Sequence, residues 1–131
     1  GCLPLEVGFQ VDSFDAWANC FMGIGTSAAF TLELANPSPD CDITGVTVVS
    51  GSLRRTSDDS IVFAFGPLTS TTSFSGVVPA DGLATSGYVA SDPSVDGEPL
   101  DGLDVFVRVN VSSSTGVVSA RSPDAALGCV Y

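Results

Sequence analysis

The stretch of sequence that decides the fold reads Leu103-Asp104-Val105-Phe106-Val107-Arg108-Val109-Asn110-Val111. Apolar side chains recur at every second position of this stretch. Because successive side chains of a β-strand point to opposite sides, this period predicts a strand that buries one face. Phe106 falls on the other, polar face. We expect its ring to be exposed there and to mark a contact surface.

Alternation of the same kind extends outward along the chain. It recurs in residues 3–11, 28–34 and 61–65, and a run rich in Val and Thr covers residues 43–50. Turn residues separate these runs at intervals of about ten residues, and no segment has the period of a helix. We therefore predict an all-β chain in which residues 1–131 form a single β-sandwich. Its eight to ten short antiparallel strands would have a jelly-roll or immunoglobulin-like topology.

Two segments give weaker signals. Residues 14–22 carry Trp17 without a clear period, and we expect a short helical turn or a loop packed on the core. Residues 72–78 predict a weaker strand. Trp17, Tyr88 and Tyr131 could together form a platform that stacks on sugar rings, but ordinary packing is the simpler interpretation.

Four cysteines, Cys2, Cys20, Cys41 and Cys129, predict two disulfides. No Cys-x-x-Cys pair points to a metal or redox motif. Disulfides persist in oxidising compartments, so we expect a secreted protein, extracellular or at the cell surface. Any signal segment would already be removed. Three connectivities are possible. We favour Cys20–Cys41, which closes a short loop, together with Cys2–Cys129, which would tie the two ends of the chain.

Charge and missing residue types exclude several functions. The chain has 15 acidic and 4 basic residues, a net charge of −11, and neither His nor Lys. Without these side chains a Ser-His-Asp site, an imidazole metal ligand and a Schiff base are impossible. A hydrolase that uses two carboxylates remains an alternative, but no particular pair stands out, so we do not expect an enzyme. The negative field disfavours nucleic acid and anionic lipid as partners. The sequence contains no uninterrupted apolar run of about 18 residues, so we do not expect it to insert into a membrane.

The acidic loop 92–104 is the main candidate metal site, and Asp40-Cys41-Asp42 and Asp58-Asp59 are weaker ones. The five carboxylates of the acidic loop could supply oxygen ligands to Ca²⁺, the only cofactor that we consider. The alternative is a solvated loop in which Asp-Gly pairs form turns. A separate triplet, Asn110-Val111-Ser112, predicts N-glycosylation at Asn110. The candidate metal ligands are Asp92, Asp96, Glu98, Asp101 and Asp104.

The N-terminal strand is a candidate for assembly between copies. Its alternating apolar residues are Leu3, Leu5, Val7, Phe9 and Val11. In this alternation the segment resembles the donor strands of extracellular filaments such as chaperone–usher pilins and archaeal thread-type pili. The resemblance implies that residues 1–12 could be exchanged with a neighbouring subunit. The alternative is a strand held in its own chain, and a Cys2 bridge within the chain would favour that alternative.

These observations favour a self-assembling function over a catalytic one. The leading hypothesis is an extracellular structural subunit of a filament, surface layer or virion exterior. Its copies would join by β-strand addition and apolar interfaces, so its main partner would be itself. The alternative is a secreted carbohydrate-binding or adhesion module that uses the acidic loop, with carbohydrate or a cell-surface protein as its partner.

Overall fold

The computed structural model describes residues 2–21 and 24–131, and it confirms the all-β prediction. A short 3₁₀ helix, Glu98–Leu100, interrupts the strands. No helix in the described residues is long and apolar enough to span a bilayer. The strands are β1 (Glu6–Phe9), β2 (Asp15–Asn19), β3 (Thr26–Ala35), β4 (Thr47–Arg55), β5 (Ile61–Phe65), β6 (Leu83–Asp92), β7 (Asp104–Ser113), β8 (Gly116–Arg121), β9 (Ala125–Ala126) and β10 (Gly128–Val130).

The first sheet is built around β3. Strand β6 pairs with β3 along its whole length, from Thr26 opposite Asp92 to Ala35 opposite Leu83. On the other side, β1 pairs with the second half of β3 and β2 with the first half, so two short strands lie end to end. Strand β10 then pairs with β2 in the parallel direction. This pair corrects the expectation that all neighbouring strands are antiparallel.

The second sheet repeats this plan around β7. Strand β4 pairs with one side of β7 and carries β5 on its own far side. Strands β8 and β9 lie end to end on the other side of β7. In each sheet, one ten-residue strand therefore organises four others. The two sheets pack face to face as a β-sandwich, as predicted.

The core lies between the two central strands. Val105, Val107, Val109 and Val111 are buried, which confirms the alternation seen in the sequence. The facing side of β3 contributes buried residues from Ala28 to Leu34. Full burial of one such Val, Leu or Phe side chain contributes about 1.5–3 kcal/mol. The buried residues of β3 and β7 therefore make a large contribution to stability.

Two segment predictions were wrong. Residues 15–19 form strand β2 rather than a helical turn or core loop. The inward residues of β2 are Ala16 and Ala18, whose small side chains give only a weak period-2 signal. Residues 72–78 form no regular strand; only Val78 makes an isolated bridge, with Ile43.

All four cysteines form disulfides, but the favoured connectivity was wrong. The bonds are Cys2–Cys41 and Cys20–Cys129. Strand register explains both. Cys2 precedes β1, whose first residue lies opposite the end of β3, and this brings Cys2 near the turn that holds Cys41. Cys20 follows β2, and the parallel pairing of β10 places Cys129 beside it. The two disulfides are compatible with an extracellular protein.

A peptide map without reduction tests this connectivity. Cleavage after Glu6, Glu33 and the arginines yields peptides 1–6, 7–33, 34–54 and 122–131, each with one cysteine. We expect mass spectrometry to find 1–6 linked to 34–54 and 7–33 linked to 122–131. A linked pair of 1–6 with 122–131 would contradict the register of β10.

Removing each disulfide separately gives a second check on which cysteines are joined. In the loop-closure model, the bond spanning 109 residues contributes about 5 kcal/mol and the bond spanning 39 residues about 4 kcal/mol. Denaturant unfolding of Cys20→Ser/Cys129→Ser should therefore show the larger loss of stability, and Cys2→Ser/Cys41→Ser the smaller.

Candidate functional site

The N-terminal strand lies within its own chain. Strand β1 pairs with β3, Leu5 is buried, and Val7 and Phe9 pack against the core. Leu3 and Val11 lie outside β1 and are 51% and 81% exposed. Three of the five alternating side chains therefore contact the core. The Cys2–Cys41 bond within the chain is the outcome that favours an in-chain strand, so exchange of residues 1–12 is not part of the function proposed below.

The acidic loop does not gather its carboxylates around one point. Within the described residues, no group of three or more Asp, Glu or Cys side chains is placed to hold a metal ion. The predicted Ca²⁺ site formed by Asp92, Asp96, Glu98, Asp101 and Asp104 is therefore not supported. The physical reason is that the aspartates make turn contacts with the backbone around them.

Three of these aspartates accept hydrogen bonds that shape the loop. Asp92 accepts from the Ser94 hydroxyl at 2.6 Å and from the Ser94 backbone N–H at 2.9 Å. Asp96 accepts from the backbone N–H of Glu98 at 3.0 Å, and Asp101 from that of Cys129 at 3.1 Å. These are Asx-type turns and anchors, in which the carboxylate satisfies nearby backbone donors. The hydrogen bonds from Ser94 hold the pKa of Asp92 below its ordinary value of 3.8.

A close backbone approach ties the acidic loop to the first sheet. The Thr26 hydroxyl donates to the carbonyl of Val95 at 3.0 Å. Gly97 lies so near the sheet that a Cβ at this position would collide with Ala18 and Thr26. Only glycine fits such an approach. The carboxylates of Asp96, Glu98 and Asp101 remain exposed beyond this anchor.

Trp17 lies outside the core, against our expectation. It belongs to neither buried cluster, because the side chains of Ala16 and Ala18 point inward and that of Trp17 points outward. Its ring lines an open depression of about 210 Å³ together with Asn19, Ile24, Ser27, Ser91 and Asp92. Tyr88 is buried in the core, as the packing interpretation predicts, and Tyr131 is exposed. The three aromatic residues therefore do not form one platform.

Phe106 is buried rather than exposed, which corrects the expectation drawn from its polar strand face. The Arg121 guanidinium lies over its ring, 3.8 Å from the centroid. The cation–π contact shields the ring from water, and only 3% of Phe106 is accessible. Phe106 thus supplies no exposed apolar patch.

Asn110 lies on the same outward face, in the central strand β7. Its side-chain amide donates to the Ser50 hydroxyl at 3.0 Å, and its carbonyl oxygen accepts from Ser119 at 2.6 Å. The nitrogen that would carry a glycan is therefore occupied within the sheet. Glycosylation at Asn110 stays a prediction and has no part in the function proposed below.

Strand β5 forms one edge of the second sheet. Its sequence is Ile-Val-Phe-Ala-Phe, and no other strand among the described residues pairs with its far side. Phe63 is buried, whereas Ile61 and Ala64 are exposed. An open groove of about 440 Å³ runs beside Ile61 and Val62, and Val95 and Leu100 line its opposite side. This edge has apolar side chains, available backbone groups and space next to it.

The hydrogen bonds of Asp92 generate a testable pH effect. Because its pKa is lowered by folding, this carboxylate stabilises the fold fully above its ordinary value of 3.8, and the contribution disappears as the pH falls through the lower folded value. In an NMR titration, Ser94→Ala should move the pKa of Asp92 back towards 3.8. The control Ser91→Ala, whose hydroxyl contacts Ser27 instead, should not. Identical titration curves for both variants would contradict this assignment.

Comparisons with known proteins support the fold alone. Neither a protein-family model nor a curated protein matches the chain. Among solved structures, the chain is similar to the X-ray structure of SoR45, a target of the Northeast Structural Genomics Consortium. The TM-score is 0.50 and the identity 6%, over 95% of this chain and 86% of that chain. At this identity the similarity extends to the arrangement of strands and says nothing of activity or partners.

Proposed function

We propose that this chain is a structural subunit of an extracellular assembly and that copies of it join by β-strand addition at the free edge of β5. The observation that carries the proposal is the composition of this edge, Ile61–Phe65, in which all five residues are apolar. Strand addition uses main-chain hydrogen bonds for affinity and alternate side chains for register. In this form β5 is the joining strand, in place of the N-terminal strand suggested by the sequence.

Edge strands of natural proteins are usually protected against such pairing. Charged side chains, Pro or bulges on the edge prevent other chains from adding a strand. The residues of β5 include no charge and no Pro, although the chain has 19 charged residues, 15 acidic and 4 basic. Its one irregularity is a register shift against β4 between Leu53 and Arg54, which leaves Phe63 to Phe65 in regular pairing. Selection for a monomer would be expected to place a charge there. The absence of a charged residue from β5 supports the proposal that another chain covers this edge in the assembled protein.

The residues around β5 limit the contact to a short strand. Asp58 and Asp59 precede it, and Gly66 and Pro67 follow it. Five paired residues span roughly 17 Å. The natural partner is β5 of a second copy in antiparallel orientation, which continues the second sheet across a two-fold axis. Such an isologous contact makes a closed pair of subunits, so growth of a larger assembly requires a second surface.

A lysine placed on this edge should prevent assembly without unfolding the chain. Ala64 is exposed, so Ala64→Lys should change the free energy of unfolding by no more than about 0.5 kcal/mol while adding a charge to the strand that pairs. We expect sedimentation velocity at high protein concentration to show paired wild-type chains and monomeric Ala64→Lys. Thr85→Lys, an exposed site on β6, is the matched control and should assemble normally. A wild-type chain that stays monomeric at every concentration would refute the proposal.

A second candidate function, carbohydrate binding, is favoured by the position of Trp17. An outward-facing indole ring can stack on a sugar ring, and the side chains of Asn19, Ser27 and Ser91 beside it can bond sugar hydroxyls. The depression of about 210 Å³ can hold one sugar ring or part of a longer chain. This version of the binding-module hypothesis needs no Ca²⁺.

Removing the indole ring tests this second candidate. Trp17→Ala should abolish retention of the protein on an array of neutral glycans. Phe21→Ala, which removes an exposed aromatic ring outside the depression, should leave retention unchanged. Equal glycan binding by wild type and Trp17→Ala would exclude the depression as a sugar site.

A further inference from the structure

The basic residues of this acidic chain are confined to one sheet. Arg54 and Arg55 lie in β4, Arg108 in β7 and Arg121 in β8. All three strands belong to the second sheet, and the strands of the first sheet contain no Lys or Arg. The positive charges of the chain are therefore confined to one sheet, whereas its net charge is −11.

Three of the arginines are neighbours on the outward side of that sheet, which we call the arginine face (Arg54, Arg108 and Arg121). Arg108 lies directly opposite Arg121 in the β7–β8 register and opposite Ser52 in the β4–β7 register. Arg54 lies two residues beyond Ser52, so it is the diagonal neighbour of Arg108. Like charges directly opposite each other destabilise a sheet. This pairing of like charges calls for carboxylates nearby.

Contacts within the chain neutralise two of these arginines and leave the third. Arg121 pairs with Asp124 at 2.9 Å, and Arg54 pairs with Asp59 at 3.4 Å. Those are the two ion pairs formed among the described residues, and Arg108 is in neither. Its exposed guanidinium lines a depression of about 250 Å³ shared with Ser50, Ser52 and Asn110. A guanidinium without an ion pair in the described chain, beside polar side chains, suits a carboxylate.

We infer that the arginine face binds the acidic loop 92–104 of a second copy of this chain. The loop offers the complementary charges, because Asp96, Glu98, Asp101 and Asp104 are exposed and form none of the ion pairs in the described part of the chain. The loop is also held in a fixed shape by its turn contacts and by the bond from Thr26 to Val95. It therefore loses little conformational freedom when it binds.

This contact would supply the second surface that the proposed assembly needs, and the inference rests on that proposed function. The arginine face and the acidic loop are different patches, so the contact is heterologous and can repeat without closing. Combined with the two-fold pairing of β5, it would extend pairs of subunits into a larger array. Because exposed charges form it, salt should weaken it, with a screening length of about 8 Å at physiological ionic strength.

A charge-swap experiment on the full chain tests the inference. Arg108→Glu makes the face acidic, and Glu98→Lys/Asp104→Lys makes the loop basic. Neither loop side chain hydrogen-bonds to the rest of the described chain, so the change should not unfold it. We expect each variant alone to need at least tenfold more protein than wild type for assembly beyond pairs, measured by light scattering. An equimolar mixture should recover assembly, and high salt should abolish it again.

Matched controls separate this contact from general charge effects. Glu6→Lys/Glu33→Lys makes the same change of net charge on the outward side of the first sheet. Because this variant keeps both the arginine face and the acidic loop, it should assemble beyond pairs at the same protein concentration as wild type. Loss of assembly in this control, or no recovery in the loop mixture, would overturn the inference.

The remaining outcomes distinguish this inference from the function on which it rests. If Arg108→Glu assembles like wild type while Ala64→Lys does not, the arginine-face contact is wrong and strand addition stands. If Ala64→Lys still forms salt-sensitive complexes that need Arg108, strand addition is wrong and the arginine-face contact stands. A third outcome is that the chain binds polygalacturonate through Arg108 but shows no salt-sensitive self-association. The arginine face would then bind an acidic polysaccharide, and the inference that it binds a second copy of the chain would be wrong.

Discussion

The packing of β3 against β7 is the interaction on which the rest of the structure depends. Each is a ten-residue strand at the centre of its sheet, and each turns one row of apolar side chains towards the other. Burying these rows sets which side of every neighbouring strand faces inward, because pairing register transmits the alternation across a sheet. The outward positions of Trp17, Arg108 and Asn110 all follow from this one contact.

The same arrangement of strands explains which edges of the sheets are covered and which edge has no partner strand in the described chain. On one side of each central strand, two short strands lie end to end, and the disulfides fasten the ends of the first sheet. On the other side, the second sheet ends in β5, a short strand without charge. Phe63 and Phe65 of β5 pack on the core, so the inward side of this strand contributes to stability. The outer backbone of β5 has no partner strand in the described chain, and this is the edge at which we propose contacts between copies.

The acidic and basic residues have different roles in the structure. Turn-forming aspartates satisfy backbone donors in the loops, and this accounts for many of the acids without any metal. The few arginines instead lie in one sheet, where Arg121 shields Phe106 and Arg108 stays unpaired among the described residues. A structural role explains the first arginine and does not explain the second. The contact that we infer with acidic groups of another copy would neutralise Arg108.

The sequence by itself determined the fold class, because period-2 alternation such as that of residues 103–111 depends only on local strand geometry and on the need to bury one face. It also predicted that the four cysteines form two disulfides, which the structure confirms. Their pairing, the exposure of Trp17 and the burial of Phe106 were decided only by the tertiary structure. Each depends on which strands become neighbours, such as β10 beside β2 or Arg121 across from β7. Register between distant segments follows from the packing of the whole core, and no local pattern in the chain encodes it.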